Sequence, residues 1–482
     1  MTATLALRPL AAVDRIAAIG DTGSIAPVSG ALAAPRPSPH LTRFGIAPQD
    51  DDGVVIARAT IGGAPVFIAA QDERFVGGSA GVNHADALRS LFECARTERP
   101  AAVILLAASG GVRLHEANPA ELALARALRA LCDLRIAGVP VLGLGVADVF
   151  GGTSVLACAA DRIALLPGTR LGLSGPTVIE TACGRDALDS ADAAAVSALF
   201  GAEARAAAGY AELVADDAEA IRAWASGAAI EPAPFASRVQ AMQTELATRL
   251  GTRRGTRSGA DVQPLAQTTG MLHALLPDRL APMFDGADPV DPNGWLWRMS
   301  ELPIWLARPA ASTFGPAEAQ VQDAVLLANL LNAEDPERAT LFVVSDSAGH
   351  EISRSAEALC VSQYLAQHAA VLSLLRSRGM RIVGLLTAVG HSAAFFVNAL
   401  QASRVYALAG SRVVAMEPDA IARVTKQDSE RLAALIENDP LLGQPVRHFD
   451  AWGGIAEILP ELNRDRLVAL AAREHSAAAA SE

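Results

Sequence analysis

The stretch "VPVLGLGVADVFGGTSVLACAADRIALLPGTRLGLSGP", Val139–Pro176, decides how the chain is read. It opens with "VPVLGLGVADV", an apolar run of strand length. Gly151 and Gly152 follow, then small residues suited to a helix, then "DRIALLP", a second and shorter strand. Glycine in a helix is unfavourable by roughly 1 kcal/mol relative to alanine, so a pair at a helix start wants a reason. A tight strand-to-helix turn is one. A backbone N–H that must approach a ligand closely is the other.

The same arrangement recurs along the chain. "PAAVILLAASGG" is a buried strand ending at Gly110 and Gly111, and "NPAELALARALRALCDLRIAG" after it is a helix with Asn118 as N-cap and Pro119 in first position. Upstream, "GVVIARATIGGAPVFIAAQD" predicts a hairpin about Gly62 and Gly63, and "HADALRSLFECARTER" has helical spacing. Strand–helix alternation of this kind is a crossover α/β pattern. From Ala339 to Pro418 the logic repeats: strand, glycine turn, long helix, strand, glycine turn, helix, short strand. Gly111 and Gly152 stand 41 positions apart, as do Gly349 and Gly390. The fold class expected is α/β, as a duplicated supersecondary plan in two tandem domains. The boundaries expected are a poorly ordered arm over 1–40, a first domain over 41–250, a linker over 251–299 and a second domain over 300–482.

Composition narrows the function classes. A chain of 482 residues is too long for one hydrophobic core, and its formal net charge of −12 lacks the basic footprint of a nucleic-acid binder. Lys426 is the only lysine. The five cysteines (Cys94, Cys132, Cys158, Cys183 and Cys360) form no C-x-x-C pair, so neither a zinc ribbon nor a disulfide framework is encoded, and no metal is expected. No apolar run approaches the roughly 18 to 20 residues of a membrane span. The opening "MTATLALRPLAAVDRIAAIGDTG" has no apolar core followed by a cleavage site. A soluble, cytoplasmic protein with no membrane or nucleic-acid partner is expected.

Glycine turns at helix starts carry a specific chemistry. A helix N-terminus exposes unpaired N–H groups and the positive end of the dipole, which suits developing negative charge. Two such turns facing each other make an oxyanion hole, where losing one donor costs about 3 to 4 kcal/mol. Gly111 and Gly152 are the expected donors, with Gly110 and Gly151 allowing the approach. Plain βα turns are the competing explanation, and recurrence in two matched pairs weighs against it. His115, His350 and His391 lie near glycine turns but are individually commoner as surface or core histidines. Glu116 and Glu180 read first as solvated or capping carboxylates.

Three segments point to a family: "DERFVGGSAGVNHADALRSLFECA" (Asp72–Ala95), "AASGGVRLHEANPAELALARAL" (Ala107–Leu128) and Val139–Glu180. Their Ser-Gly-Gly-x-Arg-x-x-Glu, Gly-Gly helix start and Gly-x-x-Gly-Pro resemble the acyl-CoA carboxyltransferase branch of the crotonase fold. Within it, the first half resembles the beta subunit of biotin-independent malonate decarboxylases. The second half resembles the gamma subunit, through "VGHSAAFFVNALQASRVYALAG" and "VAMEPDAIARVT".

The resemblance implies two crotonase-like domains of ββα superhelical units, and decarboxylation of a malonyl thioester without metal or biotin. It implies a carrier protein bearing a phosphoribosyl-dephospho-CoA group, a malonate/acetyl transferase alpha subunit, and a homo-oligomer. Gly77, Gly78, Ser79, Ser174, Gly175, Pro176 and Glu180 would bind substrate, and Gly349, Gly390, His391 and Ser392 would serve the carboxylate end. Ser392-Ala393 stands after Gly-His where the family has a glycine first, and Ala393-Ala394 takes the place of a second glycine pair. A biotin-dependent carboxyltransferase subunit and an idle scaffold of such a complex are the rival readings.

Overall fold

The computed structural model describes residues 5–28, 36–227, 232–255, 276–299, 302–308 and 313–479. They fall into two compact units: Met1–Arg238 together with Glu351–Ala366, and Val239–His350 together with Gln367–Glu482.

The first unit is built on a seven-stranded sheet in chain order: β1 (Ala26–Pro27), β2 (Val54–Ile61), β3 (Ala64–Gln71), β4 (Ala102–Ser109), β5 (Val141–Val149), β6 (Arg162–Leu165) and β7 (Glu212–Leu213). The first three pair antiparallel and the rest join in parallel. Gly62 and Gly63 have φ of 60° and 80°, the left-handed pair that a two-residue hairpin turn requires, and Ile61 pairs with Ala64. β4 is buried at every residue, as a parallel strand covered on both faces must be. The helices that matter for the site are α1 (Ala12–Ile19), α2 (Val82–Glu98), α3 (Ala117–Ile136), α4 (Gly151–Cys158) and α5 (Pro176–Cys183).

Two sequence expectations need correcting here. The arm over 1–40 contains α1, whose Ala12, Ile16 and Ile19 share one helical face and lie in the core beneath the sheet. The Arg15 guanidinium is buried with them, donating to Leu7 O, Gln71 O and the Glu73 carboxylate. Residues 29–35 of that arm lie outside the described residues. The other correction concerns α3, which starts at Ala117 with Glu116 in the N-cap position, so Asn118 and Pro119 lie within its first turn.

The second unit repeats the plan. Its main sheet runs β8 (Ala287–Pro289), β9 (Leu296–Met299), β10 (Ile304–Ala307), β11 (Thr340–Ser345), β12 (Arg381–Leu386), β14 (Arg404–Leu408) and β16 (Glu457–Leu459), antiparallel over the first three and parallel after. β13 (Val389–His391) and β15 (Arg412–Val414) form a separate parallel pair. Here the expected linker is corrected. Leu276, Leu280, Met283, Phe284, Trp297 and Met299 pack in one core with Phe342, Val344 and Val383, so 276–299 is part of the second unit. The helix Phe235–Gly255 runs past the expected end of the first domain, and residues 256–275 lie outside the described residues. Among the described residues no helix is long and apolar enough to cross a membrane.

Candidate active site

The two glycine turns of the first unit meet backbone to backbone. Gly111 has φ of 101° and Gly151 of 60°. A Cβ on Gly111 would lie 3.0 Å from Gly151 Cα, and one on Gly151 would lie 2.9 Å from Gly111 Cα. Neither conformation nor space admits a side chain, so both glycines are required by the approach itself. Ser109, the last residue of β4, ties the turns together: its carbonyl accepts the Phe150 N–H at 2.8 Å and its Oγ lies 3.0 Å from Thr153 Oγ1 in α4.

An inventory of donors sharpens the expected oxyanion pair. Gly110 N–H is bonded to Gly77 O at 2.9 Å and Gly151 N–H to Leu173 O at 3.0 Å. Gly111 N–H donates to Ser109 Oγ at 3.1 Å, a hydroxyl that can rotate away. Gly152, second residue of α4, is buried in a helix turn whose N–H groups have no intrahelical acceptor, and among the described residues no loop carbonyl takes its proton. Gly110 and Gly151 therefore act as spacers whose own protons are used in the fold, while Gly152 is left to bind and Gly111 can exchange its partner.

Gly77, Gly78 and Ser79 lie against the first turn. Val76, Gly77 and Gly78 have φ of 47°, 64° and 67°, and a Cβ on Gly78 would collide with Ala108 O. Ala80 N–H donates to Gly111 O at 2.8 Å, and Arg113 N–H to Ala80 O at 2.8 Å. Beneath this loop lies a fully buried ion network. Arg113 donates to Asp52 Oδ1 at 2.6 Å and to Ser79 O at 2.9 Å, and Glu116 Oε2 accepts the N–H of Val82, first residue of α2, at 2.6 Å. The Glu116 carboxylate thus caps α2, at the positive end of its dipole. Burial raises the Asp52 carboxyl to about 6 even against Arg113. His84, which donates its backbone N–H to Asp52 at 3.0 Å, is pushed down to about 3 by burial and by Arg113 and stays neutral. His115 is buried against the Phe44 ring, with its basicity lowered by burial.

The loop after β6 completes the support. Leu173 O holds the Gly151 N–H, while Leu173 N–H and Ser174 N–H donate to Glu357 Oε1 at 3.1 and 2.6 Å. Arg205 donates to Glu357 O at 2.7 Å and stands 3.6 Å from its carboxylate. Burial raises the Glu357 carboxyl to about 7, opposed by Arg205 and the loop N–H groups. Gly175 is the N-cap of α5 and Pro176 its first residue. Ser174 is thereby brought to the Gly151 turn through Leu173. Glu180 is not: its carboxylate accepts Ser190 N–H at 2.8 Å, and hydrogen bonds from the Ser190 side chain and backbone hold it below the usual range. Asp52, His84 and Glu357 escaped sequence reading, since none stands in a motif with its partners.

In the second unit, Gly349, His350, His391 and Ser392 come together. Gly349 has φ of 104°, and a Cβ there would lie 3.2 Å from His391 Nδ1. β13 ends at His391, and Ser392, with φ of 50°, begins the helix Ser392–Val397. Its Oγ lies 3.3 Å from His350 Nδ1, and His391 Nε2 lies 3.9 Å from Glu417 Oε1. Gly390 is needed for packing, because a Cβ would sit 2.8 Å from the Phe395 ring. The equal spacing of 41 positions therefore matched the wrong residues. By conformation Gly349 answers to Gly111 and Ser392 to Gly151, so Ala393, not Gly390, stands where Gly152 stands.

Comparison with known proteins gives two family matches. Residues 9–265 match the carboxyl transferase domain, and residues 317–481 match the malonate decarboxylase gamma subunit. The malonyl-S-ACP:biotin-protein carboxyltransferase MADC of Malonomonas rubra is 39% identical over 175 residues, covering 33% of this chain and 55% of the relative. The acetyl-coenzyme A carboxylase carboxyl transferase subunits beta/alpha of Parafrankia are 35% identical over 181 residues, covering 36% of this chain and 29% of the relative. A chain of a Pseudomonas malonate decarboxylase hetero-tetramer, solved in complex with malonate, is 34% identical with a TM-score of 0.47, covering 55% of this chain and 95% of that one. The chain thus spans about half or less of the length of these two curated relatives.

Proposed function

The chain belongs to the carboxyl transferase domain family, and from that premise we propose that it decarboxylates a malonyl thioester carried on an acyl carrier protein. The observation that carries this reading is the contact of the Gly111 and Gly151 turns beside the Gly152 N–H, which stands at a helix start without an acceptor among the described residues. Breaking the bond to the carboxylate carbon releases CO2 and sends its electron pair into the thioester carbonyl. The enolate oxygen so formed would accept from Gly152 N–H and from Gly111 N–H, which gives up the Ser109 hydroxyl. Fixed N–H donors stabilise such charge without reorganising.

Gly77, Gly78, Ser79 and Ser174 would shape the thioester path, with Gly175, Pro176 and Glu180 closing the loop behind it. Gly349, Gly390, His391 and Ser392 would serve the carboxylate end, and protonation of the enolate carbon would come from water or through His350 and His391. Burial lowers the basicity of both histidines, which favours relay over acid donation. The carrier's CoA-derived prosthetic group, a transferase subunit that loads malonate, a homo-oligomeric state and a cytoplasmic setting belong to the same proposal.

The test is CO2 release from malonyl carrier protein, or malonyl-CoA as a surrogate, by the purified chain with and without avidin. Release that avidin leaves unchanged is expected. Avidin-blocked carboxyl transfer would overturn the reading in favour of a biotin-dependent enzyme, and carrier binding with no turnover would leave a scaffold.

A further inference from the structure

Ser392 holds a backbone conformation that its counterpart in the first unit meets with glycine. At φ of 50° it lies in the left-handed region, where Gly151 has 60°. A non-glycine residue there is strained, and strain of this kind gathers at functional sites. The local sequence Gly390-His391-Ser392-Ala393-Ala394 runs from strand β13 through the serine into a helix. A sharp strand-to-helix turn with small neighbours is the device that presents a nucleophilic hydroxyl. Ser392 is half-buried, and its hydroxyl faces His350 Nδ1 at 3.3 Å. Pairs in an empty site are often this loose and tighten on binding. His391, packed on Gly349, adds to the burial that holds His350 down to about 4, so the ring is neutral at pH 7 and can accept a proton.

We propose that Ser392 and His350 form a nucleophile–base pair that takes an acyl group from an activated ester or thioester. Ser392 Oγ would attack the carbonyl carbon while its proton passes to His350 Nδ1. The new C–O bond forms as the C–S or C–O bond to the leaving group breaks, and the leaving thiolate or alkoxide takes that proton. Water, giving a proton to His350, then cleaves the acyl-serine to a carboxylic acid, and the proton returns to Oγ. No oxidant or metal enters. This activity goes beyond the decarboxylation proposed above, which breaks a C–C bond and forms no acyl-enzyme.

The test uses the full chain and a fluorophosphonate, with the site of the adduct read by peptide mass spectrometry, alongside hydrolysis of p-nitrophenyl acetate. An adduct on Ser392 is expected. Ser392→Gly suits the backbone conformation, so it should keep the melting temperature while losing the adduct and the ester hydrolysis. His350→Gln should slow labelling of Ser392 by about a hundredfold, within the usual range for removing a general base. A folded chain without an adduct at Ser392, or a Ser392→Gly variant that hydrolyses the ester at the parental rate, would overturn the proposal. Neither readout depends on malonyl turnover, so its failure is distinct from failure of the decarboxylase reading.

Discussion

Gly152 differs from its three neighbours in the paired turns because, among the described residues, its proton has no acceptor. Gly110 and Gly151 spend theirs on Gly77 O and Leu173 O, so replacing them would disturb the backbone rather than the chemistry alone. Gly152 is different in a second way: its φ is not in the left-handed region, so its backbone conformation does not itself demand glycine. Gly152→Val should therefore place a branched side chain over the donor while α4 persists. Loss of one oxyanion donor corresponds to about 3 to 4 kcal/mol, or two to three orders of magnitude in kcat. Malonyl-CoA turnover and a melting curve, measured side by side, check this. Near-normal activity in a folded variant would remove that turn from the mechanism. The glycine pairs were legible in sequence because glycine is the one residue whose cost announces a backbone requirement. Which glycine donates was not, because that depends on carbonyls such as Leu173 O that no spacing reveals.

The strands and helices of both units were legible for a related reason. The run "AVILLAAS" buries a whole strand and "VLGLGVADV" all of one but Ala147 and Asp148, and the apolar pattern is set by that burial. The arm over 1–40 was misread because its proline-rich end masked the short apolar period of α1. Glu357 was beyond reach: it binds Leu173 and Ser174 N–H from 184 and 183 positions away. It is a positioning residue, acting on the Gly151 turn through the Leu173 loop. Its carboxyl is raised to about 7 by burial, so it gains a proton as pH falls through neutrality and then accepts the loop N–H groups less strongly. Turnover of malonyl-CoA should accordingly lose kcat below about pH 7, in step with that group. Glu357→Gln, which cannot titrate, should lower kcat at pH 8 and flatten that acid limb, with KM little changed. An unaltered pH profile in the variant would show that the loop holds its shape without the charge.

The first unit is not a continuous stretch of chain, since it includes Glu351–Ala366 from within the sequence of the second half. That segment supplies Glu357 to Leu173 and Ser174, Ser362 to Ser154 at 2.7 Å, and Cys360 to the cluster around Val149 and Leu165. A fragment ending at residue 238 should therefore melt below the full chain and lack turnover, and adding a fragment of residues 239–482 should restore both. Calorimetry and the CO2 assay check this. A fragment of 1–238 as stable as the parent would show the segment to be dispensable. The arrangement also sets how the molecule responds to dilution. Within one chain the segment is presented at an effective concentration that the solution cannot change, of millimolar order for short flexible tethers. Specific activity of the intact chain should hold constant as it is diluted, whereas a severed pair should fade once it falls below its dissociation constant. Joining the halves thus exchanges an assembly equilibrium for an intramolecular one.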